Sequence, residues 1–466
     1  MRRKETTGKA RRTVAGRGRP FAAESEKGAV MVSSTLVALY AAAGQGPSGL
    51  LPARQQMAFS LGRHILLACF GVVLPVMIYV AHRRGITRDD AVALGLARQW
   101  GAAAAVLVAA GAISATVLGF EMGLLWPGLM GRYGDVLVLP LAFAGLSFFV
   151  EAVFLGLYLY GWGRIRPRRH LATLVPMGMA GAVGMFGVVA ADAWTNDPSG
   201  FRLADGVVTE VNPWRVIGDE GVYPQFAHMC VGAFMVVGFV VAGVYAVGLL
   251  RGRRDDRHRL GFTMSFVFAT VAALLQPFVG HMFGMYVRDE QTPRVVVPGR
   301  EVVAVWARSP VDITHATFLT MVVVGVLLSV LVLVFWGLRW RGRDLSLERW
   351  FLWAVVAAGP FAVLALECGL LATEIARHPW AVWRVLSTRD AVSTSNVLWW
   401  SHIGVLLIHI ALAVGAIVVL RSRARHRHIG GQTSTEPETP APESETSAPE
   451  PEPDDRDQLV HSAGEG

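Results

Sequence analysis

The residues able to do chemistry in this sequence are few, and apolar neighbours surround most of them. His64, Glu121, Glu151, His228 and Glu374 carry imidazole or carboxyl groups into or beside long apolar stretches, Met321 adds a thioether, and Arg377 follows Glu374 closely, with Trp380 just beyond. An ionisable group near the centre of a bilayer costs about 2.5 to 3.5 kcal/mol on insertion scales, so each needs a protein-facing reason. Imidazole and thioether are the side chains that hold haem iron axially, and a His/Met pair gives a six-coordinate, electron-transferring haem of raised potential. Single residues carry little weight. A lone helical histidine is more often a hydrogen-bonded packing residue, and a lone methionine in an apolar span is more often a gap filler. His281, His315, His402 and His409 are read that way. His402 and His409 share one helix face, and one helix cannot clamp a haem from both sides.

The elements that must position these groups follow from composition. The chain has 466 residues, 53% hydrophobic and 17% charged, with a mean hydropathy of +0.44. Average soluble chains are about 25% charged. Nine apolar stretches are each long enough to cross about 30 Å of hydrocarbon: roughly 62–82, 99–119, 136–160, 171–191, 224–250, 260–287, 312–338, 350–373 and 397–420. The expected fold is all-α, a polytopic membrane helical bundle of about nine transmembrane helices. Basic loops follow the first, third, fifth, seventh and ninth stretches (HRRGITR, GRIRPRRH, RGRRDDRHR, WRGRDLSLER and RSRARHRH). Cytoplasmic loops collect Lys and Arg, which places the N-terminus outside and the C-terminus in the cytoplasm. On that topology His64, Glu121, His228, Met321, Glu374 and Arg377 all fall in the outer half of the bilayer, although loop charge alone set the orientation.

The formal charge of +8 lies mainly between the spans, so it gives no support to nucleic-acid binding. Cys69, Cys230 and Cys368 have no zinc or redox spacing and read as buried thiols. Three regions result. Residues 1–53 are a basic, disordered extension, either weakly signal-like over 29–46 or the product of a start truly at Met31 or Met57. Residues 54–420 are the membrane domain. Residues 421–466 are a cytoplasmic tail rich in Pro, Glu, Ser and Thr that cannot bury enough apolar surface to fold.

Strings around these residues resemble subunit I of the cytochrome bd quinol oxidases, across almost all nine spans. Arg54-Gln55-Gln56-Met57-Ala58-Phe59-Ser60 through His64 resembles the family's opening, whose histidine is an axial ligand of a high-spin haem. Gly134-Asp135, Pro140-Leu141-Ala142, Phe148-Phe149-Val150-Glu151 and Gly161-Trp162 resemble the third-helix region, whose glutamate belongs to a proton route. Trp194-Thr195-Asn196-Asp197-Pro198 is similar to a family loop. Gln225-Phe226-Ala227-His228 and Phe318-Leu319-Thr320-Met321 are similar to the strings carrying the two ligands of the low-spin haem b. Glu367-Cys368-Gly369 through Glu374-Ile375-Ala376-Arg377-His378-Pro379-Trp380 resembles the most specific signature, whose second glutamate serves the high-spin haems.

The resemblance implies a bacterial cytoplasmic-membrane enzyme that takes electrons from ubiquinol or menaquinol. A low-spin haem b held by His228 and Met321 passes them to a high-spin haem b and to a haem d or second high-spin haem, where O2 becomes water. It implies His64 and Glu374 as metal ligands, Glu121, Arg377 and Trp380 at the cofactors, and catalytic roles for Glu151, Glu374 and Arg377. It also implies a second membrane subunit and sometimes a single-helix one, with no nucleic acid. Departures bear on this. Ala144 stands where the family has a glutamate, Leu319 where it has an arginine, and His281 where it has an aspartate. The quinol-binding loop shrinks to about 288–311, with Arg294 in place of a lysine. A diverged haem electron carrier without oxidase turnover is therefore one alternative. A secondary transporter is the other; it predicts an internal repeat and broken helices, for which only Gly178, Gly181 and Gly184 speak.

Overall fold

In the computed structural model, residues 50–205, 207–291, 294–297, 300–303, 311–342, 348–395 and 397–432 are described. The basic N-terminal stretch, the signal-like segment and most of the acidic tail lie outside them. The elements in chain order are α1 (Leu50–Thr87), α2 (Ala91–Leu125), α3 (Pro127–Tyr160), α4 (Pro167–Ala172), α5 (Leu174–Asn196), β1 (Arg202–Ala204), β2 (Val207–Thr209), α6 (Pro213–Ile217), α7 (Val222–Leu250) and α8 (Asp256–Tyr286). A π-helical turn (Val287–Gln291) leads to β3 (Arg294–Val297), β4 (Arg300–Val303), α9 (Val311–Trp340), α10 (Arg349–Ala376), β5 (Trp380–Val382), β6 (Leu386–Ser387), α11 (Thr388–Ala391) and α12 (Leu398–Gln432). Among the described residues nine helical segments are long and apolar enough to cross a membrane, α4 and α5 together making one of them. The all-α multi-span reading holds. The shortened loop between α8 and α9 carries an antiparallel hairpin, with Arg294 opposite Val303. Among the described residues, contacts divide the chain after Val419.

Helix boundaries follow local chemistry. Asp90 caps α2, its carboxylate accepting from the Ala93 amide at 2.9 Å and from Arg84 Nε at 2.8 Å. Asp255 caps α8 in the same way through the His258 amide. Prolines open α3, α4 and α6, at the helix position that needs no N–H donor. α1 begins well before its apolar run. Its first turns hold Gln56 and Ser60, both fully buried, so the polar face there meets protein and not lipid.

α7 and α1 are the inner helices, burying 61% and 50% of their crossing stretches, while α12 buries 11%. The main core joins α1, α2, α7, α8, α9 and α10 around Met77, Phe239, Phe262 and Phe351. A second core closes one end of the bundle. There Trp126, Tyr133 and Trp194 pack under Val216 of α6 and under Val382, Leu386 and Val392 from the segment after α10.

Candidate functional site

His64 lies on α1 and is buried, its ring 6.0 Å from that of Phe148 on α3. Its Nδ1 has no hydrogen-bond partner. Two residues earlier, on the opposite side of α1, Gly62 faces the Glu367 carboxylate of α10 so closely that a Cβ would collide with it. The structure thus brings Glu367 to the Gly62 side of α1, about 200° around the helix from His64. Glu121 on α2 is anchored from α1: its Oε1 accepts from Gln56 Nε2 at 2.8 Å and from Ser60 Oγ at 2.9 Å, and its Oε2 is unpartnered. The Gln56 amide also donates to Ser401 Oγ of α12. Glu151 on α3 is buried against Gly71 of α1, where a Cβ would lie 3.0 Å from Oε1. That oxygen has no partner either.

His228 on α7 sits against α8. Its ring stacks on Phe283 at 5.8 Å, Gly280 leaves room for it, and Gln276 Nε2 lies 3.2 Å from its Nδ1. Amide nitrogen and oxygen are assigned from such contacts, and Gln276 Oε1 is otherwise orphaned. As placed, that amide nitrogen also donates to the His228 carbonyl oxygen at 3.3 Å; turning the amide so that Oε1 accepts from Nδ1–H, which leaves the ring Nε2 with its lone pair, gives up that bond. Met321 on α9 has its sulfur beside Gly369 of α10, a position any Cβ would fill. α7 and α9 share at most marginal contact, because each packs on α8 and α10. An imidazole and a thioether therefore stand on two helices held apart by two others. This donor set fits an iron porphyrin ligated from both faces, which no single helix could manage.

The polar groups at the capped end are densely paired. Arg377 donates to Glu374 Oε2 at 2.6 Å and to Thr195 Oγ1 at 2.6 Å, and lies 3.5 Å from Asp192 Oδ1. Gln225 Nε2 donates to Asp192 Oδ2 at 2.6 Å. Beyond α10, Arg54 NH2 approaches His378 Nδ1 at 3.2 Å and donates to Thr388 Oγ1 at 2.9 Å. Burial, with Arg54 and Arg377 nearby, pushes the His378 pKa down to about 3. The ring is neutral and accepts. The Trp380 amide closes the turn onto the Arg377 carbonyl at 2.9 Å.

Of the residues singled out in the sequence, Glu374, Arg377 and Trp380 are gathered in one place, while His64, Glu151 and the pair His228/Met321 lie at separate stations. Gln276, Asp192 and Gln225 were not singled out for a site role. Asp192 and Gln276 are polar residues inside apolar runs and could have been found by the test that found Glu151.

The chain matches the family model of cytochrome bd terminal oxidase subunit I over residues 52–297 and 290–428. A Bacillus subtilis (strain 168) protein provisionally named cytochrome bd menaquinol oxidase subunit I is 28% identical over 402 residues, covering 74% of this chain and 90% of that protein. The cytochrome bd ubiquinol oxidase subunit 1 of the same organism is 24% identical over 407 residues, covering 74% and 86%. The structure of bd oxidase from Geobacillus thermodenitrificans contains a similar chain, with a TM-score of 0.75 at 27% identity over 82% of this chain and 99% of that one. The protein belongs to the cytochrome bd terminal oxidase subunit I family, a family of multi-pass, haem-binding membrane oxidoreductases.

Proposed function

We propose that the chain is the haem-binding subunit of a quinol:O2 oxidoreductase, working with a second membrane subunit in a bacterial cytoplasmic membrane, its basic loops toward the cytoplasm. The observation that carries this reading is the placement of His228 and Met321 on helices that α8 and α10 hold apart. When bound, the haems supply one-electron relay at a six-coordinate iron and oxygen binding where an axial position stays open. Two quinols give four electrons, and with four protons one O2 becomes two waters.

In this reading His228 ligates through Nε2, with Gln276 fixing the tautomer, and Met321 supplies the opposite ligand of a low-spin haem b. His64, with Nδ1 uncommitted, and Glu374 serve the high-spin haem b and the haem d or second high-spin haem. Glu367 competes with Glu374 for that role, because its carboxylate reaches α1, the helix that carries His64, at Gly62. Arg377 holds Glu374 in place and offsets carboxylate charge. Glu121, tied to α1, and Trp380 shape the cofactor surroundings, and Glu151 relays protons.

A reduced-minus-oxidised spectrum of the purified complex, followed by oxygen uptake with ubiquinol and with menaquinol, tests this. Haem bands with uptake are expected. A colourless complex overturns the reading. Haem bands without uptake favour the diverged electron carrier, the second reading, for which Ala144, Leu319 and the short 288–311 segment speak. Comparing Glu374→Ala with Glu367→Ala by spectrum decides which carboxylate serves the high-spin haems.

A further inference from the structure

Outside the residues already assigned, the densest cluster of ionisable and aromatic groups lies at the opposite end of α1 from the paired polar groups. His82 Nδ1 is 3.3 Å from the Tyr158 hydroxyl of α3. The His82 ring stacks on Trp162 at 4.8 Å and meets His170 of α4 at 5.1 Å. His170 Nε2 donates to the Tyr158 carbonyl at 2.7 Å, and the Arg98 guanidinium of α2 lies 4.3 Å over Trp162. Tyr158 is fully buried, and His82 and His170 are nearly so. Apolar rings would pack as well without the cost of burying two imidazoles and a phenol.

The register of α1 ties this cluster to Glu151. At about 100° per residue, His64, Gly71 and His82 fall within about 20° of one another on one helix face. Glu151 meets that face at Gly71 and Tyr158 meets it at His82. Along the axis Gly71 lies about 10 Å beyond His64, and His82 about 16 Å further. Glu151 and Tyr158 are themselves two turns apart on α3, about 10 Å. Arg83, Arg84 and Arg88 follow His82 and mark the water-facing end.

We propose that His82 and Tyr158 form the entrance of the proton path to Glu151. This rests on the reading of Glu151 as the relay. A proton from water at the basic end adds to Nε2 of the His82 ring. Nδ1–H then gives its proton to the Tyr158 oxygen, while the phenol's own proton passes on, by water entering between the two, to the Glu151 carboxylate about 10 Å away along α3. No bond between heavy atoms changes, and no electron moves. His170 and Trp162 are positioning residues: one fixes the backbone of Tyr158, the other the plane of the His82 ring.

The test follows the Glu151 carboxyl by its infrared C=O band in the intact complex, identified as the band lost in Glu151→Gln, and times its hydrogen–deuterium exchange. Tyr158→Phe and His82→Phe keep the packing and remove the exchangeable groups. Each is expected to slow exchange at least tenfold and to raise the solvent isotope effect on kcat of ubiquinol-1-driven oxygen uptake, with haem content and KM unchanged. Exchange at the native rate in either well-folded variant overturns the entrance. Should Glu151→Gln leave oxygen uptake undiminished, the relay reading fails instead, and the exchange rates still decide how protons reach Glu151.

Discussion

Two regions of one bundle treat buried polar atoms in opposite ways. At the capped end Arg377, Glu374, Asp192, Thr195 and Gln225 satisfy one another at 2.6 to 3.5 Å. Deeper along α1, His64 Nδ1 and Glu151 Oε1 are buried with no partner. An unsatisfied buried polar atom costs about 1 to 3 kcal/mol. The Arg377 cluster pairs five groups and holds them still, while His64 Nδ1 and Glu151 Oε1 stay available. The capped end fixes Glu374 and Arg377 in place, and the α1 face leaves His64 Nδ1 and Glu151 Oε1 open to a cofactor or to water.

Breaking that contrast should give effects in a definite order. His228→Ala and Met321→Leu are each expected to abolish the low-spin haem band; a band retained in both variants would remove the proposed ligands. Glu151→Gln is expected to lower oxygen uptake about 100-fold, within the usual range for a positioned proton-transfer group, with spectrum and stability unchanged because Oε1 has no bond to lose. Arg377→Ala should do the reverse and act first on stability. Leaving two partly buried carboxylates without their cation costs about 3 kcal/mol, read as a lower thermal midpoint, and Arg377→Lys should recover only part of it, since a compact ammonium cannot span the same partners.

Smaller effects sharpen the picture. Gln276→Leu should keep the low-spin band and move its midpoint potential upward, because an imidazole that loses an acceptor at Nδ1–H becomes a poorer donor to ferric iron. An unchanged midpoint would show that the amide only packs. At the basic end, the Ala93 amide and then Arg84 hold the Asp90 carboxyl below its usual value. Its folded pKa is depressed, so its contribution is present above the unfolded carboxylate range near pH 4 and disappears as pH falls through the folded value. Asp90→Ala should cost about 1 kcal/mol at neutral pH and nothing once the native carboxyl is protonated; unfolding measured at both pH values checks this.

The nine spans were legible because an apolar run of about 20 residues has few alternatives to a helix in lipid. What the apolar run hid was the length of α1. Its first turns carry Arg54, Gln56 and Ser60, which look like loop by hydropathy, yet Glu121 and Ser401 satisfy Gln56, and Glu121 also satisfies Ser60. The closing layer made by Val216, Val382 and Leu386 was invisible, since it joins segments far apart in the chain. Residue types found the stations of the site but not its neighbours. Glu367 and Glu374 occupy similar positions on α10, and only packing shows that the first approaches Gly62 while the second belongs to Arg377. Gln276 likewise gains meaning only from the histidine beside it.

The face shared by His64, Gly71 and His82 makes α1 a ruler. Inserting one residue after Gly71 would alter neither composition nor apolar length, yet it would swing His82 by about 100° away from Tyr158. Length changes are affordable in the hairpin-bearing segment before α9 and ruinous inside α1, so a deletion series through the two should separate spacing from mere hydrophobicity.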